Sequence, residues 1–251
     1  MAATASRDWT ARLWDVQTGE CLHCLRGHEE NVNSAEFSPD GGLVATSSRD
    51  HLARIWSARS GECLRVLRGH LDVVNGAAFS ADGAFVLTAS GDRSARMWRS
   101  ATGECAAVFR GHSDLVKVVT LWQAEGQSVA LTASRDHTAK VWNPETGACT
   151  RTLRGHTEPL TSAEFSPDGM LAVTTSSDRT AKLWRVDSGI CTRTLWGHAD
   201  LVRSAVFSID GALVLTASWD GTARLWRVTT GECVQELRGH AGPVNAVAFS
   251  R

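Results

Sequence analysis

Across 251 residues, 26 Lys and Arg stand against 27 Asp and Glu, a net charge of -1 that gives no global field to draw the chain to nucleic acid or an anionic membrane. A hydrophobic fraction of 43% suffices for a packed core and argues against disorder. Met1 to Asp8 lacks the basic start and apolar centre of a signal peptide, and no apolar run approaches a membrane span, so membrane insertion is not expected.

Read in order, the chain opens on Asp8 and Trp14 and then enters a unit that recurs to its end. The first full copy starts at Gly27-His28, and Val32 to Phe37 reads as a strand. Ser38-Pro39-Asp40-Gly41 is a turn, with Pro preset for it and Gly available for positive φ. Leu43 to Ser48 is a second strand with little polar alternation, as expected when both faces are covered. Arg49-Asp50-His51 turns the chain into a third strand through Ala53, Ile55 and Trp56. Ser60-Gly61-Glu62 turns it again, and Cys63 to Leu67 is the fourth strand. Gly-His returns at His70, His112, His156, His198 and His240, at intervals of 42, 42, 44, 42 and 42 residues counted from His28. The fourth copy departs most: it has Leu121-Trp122 in place of Phe-Ser, and two extra residues before its second strand. No stretch sustains helical periodicity.

The expected fold is therefore all-β. A four-stranded sheet of about 40 residues cannot bury both faces alone, so copies must stack, and radial stacking into a β-propeller protects the strand edges. Five units span 27–68, 69–110, 111–154, 155–196 and 197–238, and a sixth combines 239–251 with 1–26. Aligning the two ends on the repeat leaves only the counterparts of Asp40, Gly41 and Gly42 missing. The expectation is a single six-bladed domain, closed when the C-terminal strand (Val244 to Ser250) pairs with three N-terminal strands. A piece of a longer array is the rival.

The period and the Gly-His…Trp signature resemble WD40 repeats over essentially the whole chain. Only Trp14-Asp15 is a literal Trp-Asp; the other copies follow Trp with Ser57, Arg99, Asn143, Arg185 and Arg227. The resemblance implies six blades of four antiparallel strands and a partner-binding role. It also implies a buried hydrogen-bond network in each blade, running from Trp through Thr to His and Asp. The members would be Trp14, Trp56, Trp98, Trp142, Trp184 and Trp226; Thr4, Thr46, Thr88, Thr132, Thr174 and Thr216; the six Gly-His histidines; and Asp8, Asp50, Asp92, Asp136, Asp178 and Asp220. The Ser two residues before each Asp is the alternative hydroxyl.

These residues invite a Ser-His-Asp hydrolase reading. Six copies of one triad, with no Gly-x-Ser-x-Gly elbow, argue instead for a structural device and no catalytic residues. Six cysteines (Cys21, Cys63, Cys105, Cys149, Cys191, Cys233) share one repeat position and cannot all pair. They read as small buried hydrophobes in a reducing compartment, the cytoplasm or the nucleus. Cys21-x-x-Cys24 has no second pair to complete a metal shell, so neither metal nor cofactor is expected. The basic residue two before each Trp (Arg12, Arg54, Arg96, Lys140, Lys182, Arg224) reads as a packed or paired cation, not a nucleic-acid stripe.

Function belongs where the copies differ, since a shared residue serves the shared fold. The resemblance implies binding on the face made by the turns after the fourth and the second strands. By position that face holds Asn31, Asn33, Asn75, Lys117, Thr161, Arg203 and Asn245, and, beside each Asp, Arg7, Arg49, Arg135 and Trp219. Trp and Arg are favoured at hot spots. A competing reading has Glu30, Asp72, Asp114, Glu158 and Asp200 neutralising the arginines. The function expected is a non-enzymatic scaffold presenting loops to proteins or peptides, with no small-molecule substrate and no nucleic acid. The alternative is the sensor propeller of a larger protein such as a NACHT-type signalling NTPase, whose P-loop would lie outside these residues.

Overall fold

The structure is a computed structural model that describes residues 1–124 and 126–250. Every regular element among them is a strand, and these form six antiparallel sheets. The first sheet holds β1 (Ala2–Ala5), β2 (Ala11–Trp14) and β3 (Cys21–Leu25). The second holds β4 (Val32–Phe37), β5 (Leu43–Ser48), β6 (Ala53–Ser57) and β7 (Cys63–Leu67), and the third β8 (Val74–Phe79), β9 (Phe85–Ser90), β10 (Ser94–Arg99) and β11 (Cys105–Arg110). The fourth has β12 (Val116–Ala124), β13 (Gln127–Ser134), β14 (Thr138–Trp142) and β15 (Cys149–Arg154). The fifth has β16 (Leu160–Phe165), β17 (Leu171–Ser176), β18 (Ala181–Arg185) and β19 (Cys191–Leu195), and the sixth β20 (Val202–Phe207), β21 (Leu213–Ser218), β22 (Ala223–Arg227) and β23 (Cys233–Leu237). Each is a meander in chain order, the arrangement of a propeller blade. The irregular fourth copy appears as a longer hairpin, with nine and eight residues in β12 and β13.

The chain divides into two compact units, residues 1–128 with 144–148 and residues 129–143 with 149–251. In the first unit, Ala45, Ala53, Ile55 and Leu67 of the second sheet pack against Val74, Ala77, Val86 and Trp98 of the third. Ala11, Leu13 and Leu25 pack in the same way against Val32, Val44 and Trp56. In the second unit, Val173, Leu183 and Leu195 meet Phe207, Val214 and Trp226. The second, third and sixth sheets thus lend their Trp to the aliphatic face of the sheet before them. This is why the second strands are apolar on both faces: β5, β9, β17 and β21 are buried at every position after the first. A buried Trp removes about 150–250 Å² from water, on the order of 4–6 kcal/mol as an upper bound.

Backbone geometry is set locally. In the Gly-His pairs, Gly69 and Gly197 hold φ at 152° and 144°. A Cβ there would lie 2.8 Å from an Arg96 nitrogen and 2.5 Å from an Arg224 nitrogen, ends of long side chains that can shift, so it is the positive φ that calls for glycine. Between the third and fourth strands, a register shift falls just before Trp in every sheet and sets each repeat cysteine opposite it, as Trp56 faces Cys63.

Among the described residues the first sheet has three strands, β1 to β3, and residues 238–250 carry no regular strand. Arg251, the last residue of that segment, lies outside the described residues. Val244 is buried and its N–H donates to the Ser218 carbonyl at 2.9 Å, the bond that Val32 makes to Ser6 at 3.0 Å. The segment keeps one tie to the sheet before it but has no ladder of its own, and a strand requires that ladder. The repeat cysteines are exposed, not buried, because the fourth strand is the outer edge of its sheet. Their sulfurs lie 3.3–3.5 Å from the carbonyl two residues on.

Candidate functional site

In four copies the His, Thr, Asp and Trp side chains converge. His28 Nδ1 lies 2.7 Å from Asp50 Oδ2, His28 Nε2 lies 2.8 Å from Thr46 Oγ1, and the Trp56 indole N–H donates to the same hydroxyl at 2.8 Å. His70, Thr88, Asp92 and Trp98 repeat this with distances of 2.9, 2.7 and 2.8 Å. His156 with Thr174, Asp178 and Trp184, and His198 with Thr216, Asp220 and Trp226, do so within 2.7–2.8 Å. The proton order follows from donor and acceptor capacity. The Thr oxygen accepts from indole, so its hydrogen points to His Nε2, and the neutral imidazole donates from Nδ1 to the carboxylate. In these four copies each group has a partner, and the arrangement locks the loop before the first strand to the turn after the second.

Electrostatics agree with a neutral imidazole. Burial pushes the pKa of His28 and His198 down, against the upward pull of their aspartates. For Asp92, Asp178 and Asp220 burial alone would raise the carboxyl. Hydrogen bonds from the histidine, from Ser94, Thr180 or Thr222, and from the Leu71, Thr157 or Ala199 N–H together hold it well below the ordinary range. Asp50 is lowered in the same way by His28 and two backbone N–H groups. The alternative serines do another job: Ser48, Ser90, Ser176 and Ser218 donate to the carbonyls of Glu30, Asp72, Glu158 and Asp200 at 2.9–3.2 Å.

In the fourth copy the Trp142 N–H donates to Thr132 at 2.8 Å, Asp136 accepts from the Thr138 N–H and hydroxyl, and His112 is buried. In the first copy the Trp14 N–H donates to Thr4 at 2.8 Å and the Thr10 hydroxyl donates to Asp8 at 2.7 Å. Thr4, Asp8 and His240 are exposed. His240, expected to be buried in a network, follows β23 into the segment without a strand, where no ladder covers it.

The basic residues before Trp are spent inside their own sheets. Arg54 donates to the Gly27 carbonyl at 2.8 Å, Lys140 and Lys182 to Thr152 and Thr194 at 2.9 Å, and Arg224 pairs with Glu236 at 3.2 Å. Arg96 lies 5.7 Å from the centre of the Trp98 ring, and Arg12 is 3.9 Å from Asp8.

The sequence-selected loop residues separate into two groups. Asn33 and Asn75 donate their amides to the Val74 and Val116 carbonyls at 2.8 Å, and Thr161 bonds the Val202 carbonyl at 2.5 Å. These three tie one sheet to the next, a role that the change of residue type from copy to copy concealed. Asn31, Lys117 and Arg203 are half-buried, and Asn245 is exposed and accepts the Trp219 indole N–H at 3.1 Å. Arg7, Arg49, Arg135 and Trp219 are exposed. Among the described residues none of these arginines forms an ion pair. Asp72 and Asp200 accept the next residue's N–H instead, at 2.7 and 2.6 Å. Sequence reasoning missed Trp196, which is 70% exposed; the signal was its place in the otherwise constant Arg-Gly-His.

Repeated four-stranded sheets with a Trp-Thr-His-Asp relay define a class of all-β repeat protein, and the family can be stated. The WD40 family (WD domain, G-beta repeat) matches residues 19–57, 61–99, 103–143, 147–185, 189–227 and 231–251, and the chain belongs to it. Over 41 residues it is 58% identical to the F-box-like/WD repeat-containing proteins TBL1X of Mus musculus and TBL1Y of Homo sapiens. Over 39 residues it is 51% identical to the nuclear distribution protein PAC1 of Mycosarcoma maydis. Each match is one repeat long, covering 16% of this chain and only 8–9% of the relative.

Proposed function

We propose that the chain is a non-enzymatic scaffold that binds protein or peptide partners through the loop end carrying Arg135, Arg203 and Trp219. The observation that carries this reading is a division of labour. The shared polar residues are consumed in the relay, while the residue beside each relay Asp changes from copy to copy and faces solvent as Arg49, Arg135 or Trp219. Membership of the WD40 family, and similarity to WD repeat proteins, support a protein-interaction role in general. A buried relay fixes the loops, and fixed loops lose less entropy on binding.

The test is affinity capture from the source cell with wild-type chain and with an Arg135→Glu/Trp219→Ala variant, followed by mass spectrometry. Both residues are exposed, so the variant should keep its melting temperature and lose the captured partner. Undiminished capture assigns binding elsewhere.

A further inference from the structure

The second unit carries two exposed tryptophans, Trp196 and Trp219, with Arg179 in the turn after β17 and Arg203 in β20. Trp196 is 70% exposed at a position where the other five copies have arginine, such as Arg68 and Arg154. Trp219 is 46% exposed where other copies have Arg, Gly or Ser. Trp196 lies in the loop that leads from β19 into β20, its ring centre 5.9 Å from Lys182 Nζ, and Trp219 lies in the turn after β21. His198, two residues after Trp196, contacts Asp220, the residue after Trp219, at 2.8 Å. The Trp219 N–H donates to the Leu201 carbonyl at 3.1 Å, which sets Arg203 beside the same turn. On the neighbouring fifth sheet, Arg179 projects from the equivalent turn with φ at 69° and is exposed.

Among the described residues neither Arg179 nor Arg203 has a carboxylate partner. The acids nearest in sequence have other partners. Asp178 and Asp220 face their histidines and backbone N–H groups, and Asp200 Oδ1 takes the Leu201 N–H. The relay therefore does a second thing: it engages Asp178 and Asp220, leaving Glu158 and Asp200 as exposed acids of these loops together with the exposed Arg179.

Resting on the scaffold reading above, we propose that this end of the fifth and sixth sheets binds an acidic, extended peptide segment. Arg179 and Arg203 take its carboxylates, and Trp196 and Trp219 take its apolar side chains or prolines. Arginine presents a planar fork to carboxylate, and tryptophan supplies large contact area at little rotamer cost. A peptide suits the surface better than a nucleic acid. The net charge is -1, and Glu158 and Asp200 remain among the arginines, where they would repel a continuous phosphate backbone while discrete carboxylates can alternate with them.

The experiment uses the full chain and fluorescence polarisation with labelled probes. They are a short peptide alternating glutamate with leucine and proline, the same peptide with lysine for glutamate, one with glutamine for glutamate, and a single-stranded oligouridine. The glutamate peptide should bind best. Arg179→Glu/Arg203→Glu should weaken it about tenfold or more, Trp196→Ala and Trp219→Ala several-fold, and about 0.5 M salt should weaken it as well. Circular dichroism checks that each variant is folded. Binding that is equal for the glutamate and glutamine peptides but lost in Trp219→Ala overturns the acidic proposal and leaves the scaffold reading standing. Tighter binding of oligouridine overturns it in favour of nucleic acid. No probe responding to any of these substitutions removes this end as a docking surface; the capture experiment then decides the scaffold reading separately.

Discussion

At the scale of single residues the relay gives a buried His and a buried Thr their partners in each of four copies. Asp178 accepts from His156, the Thr157 N–H and Thr180, at 2.7, 3.2 and 2.6 Å. Asp178→Ala leaves those donors without a partner, and urea unfolding should show a loss of about 1–3 kcal/mol. The relay also fixes a pH dependence. His28 and His198 have pKa values below 6.5 in the fold, so as pH falls through 6.5 the unfolded chain takes up protons that the folded chain refuses, and stability declines. The aspartates are depressed below 3.8, so their contribution is complete above that value and is lost below it. In a Glu36→Gln/Glu164→Gln background, where the two raised carboxyls that oppose it no longer titrate, the unfolding midpoint should therefore drop in two stages, below about pH 6.5 and again below about pH 4; a flat profile there would contradict the neutral relay. The cysteines give a direct check on their exposure. A maleimide reagent should label Cys21, Cys63, Cys105, Cys149, Cys191 and Cys233 in the native protein, with the less accessible Cys24 slower.

At the scale of strands and sheets, neighbours are joined by side chains that cross from one first strand to the next. Asn33 and Thr161 reach carbonyls, and Glu164 accepts the Phe207 N–H at 3.4 Å. On the outer edge Arg65 and Arg193 clasp the Ala101 and Thr229 carbonyls at 2.6–3.2 Å. Glu164 is half-buried with that single N–H for company, and burial raises its pKa to about 7. Between 4.5 and about 7 the unfolded chain releases the proton while the folded chain keeps it, so this group lowers stability as pH rises. Glu164→Gln should remove that decline, gaining on wild type between pH 5 and 8; an unchanged difference across this range would show that Glu164 titrates normally.

For the whole molecule, stability is shared between neighbours because no sheet covers its own faces. Trp98 belongs to the third sheet but packs on Ile55 and Leu67 of the second. Trp98→Ala should cost about 3–5 kcal/mol, and hydrogen exchange should show protection lost in β4–β7 as well as β8–β11. Loss confined to β8–β11 would mean that the sheets fold independently.

Much of this was legible in the sequence because a repeat states its rules several times. The strands of the second copy run as their pattern requires, from Val32–Phe37 to Cys63–Leu67. The Thr four residues before Asp, not the Ser two before it, receives the indole N–H. Less legible were positions whose meaning depends on the neighbouring sheet. Asn33, Asn75 and Thr161 looked like surface variation but span between sheets, and the cysteines looked like core but lie on an edge.

By itself the sequence determined the repeat, its strands and turns, the family and the identity of the relay, because period, turn residues and hydrogen-bonding capacity are local properties. Tertiary structure decided where charge is left over. His156 and His198 engage Asp178 and Asp220, and among the described residues Arg179 and Arg203 form no ion pair; compensation between charges is settled by distance, not by order along the chain.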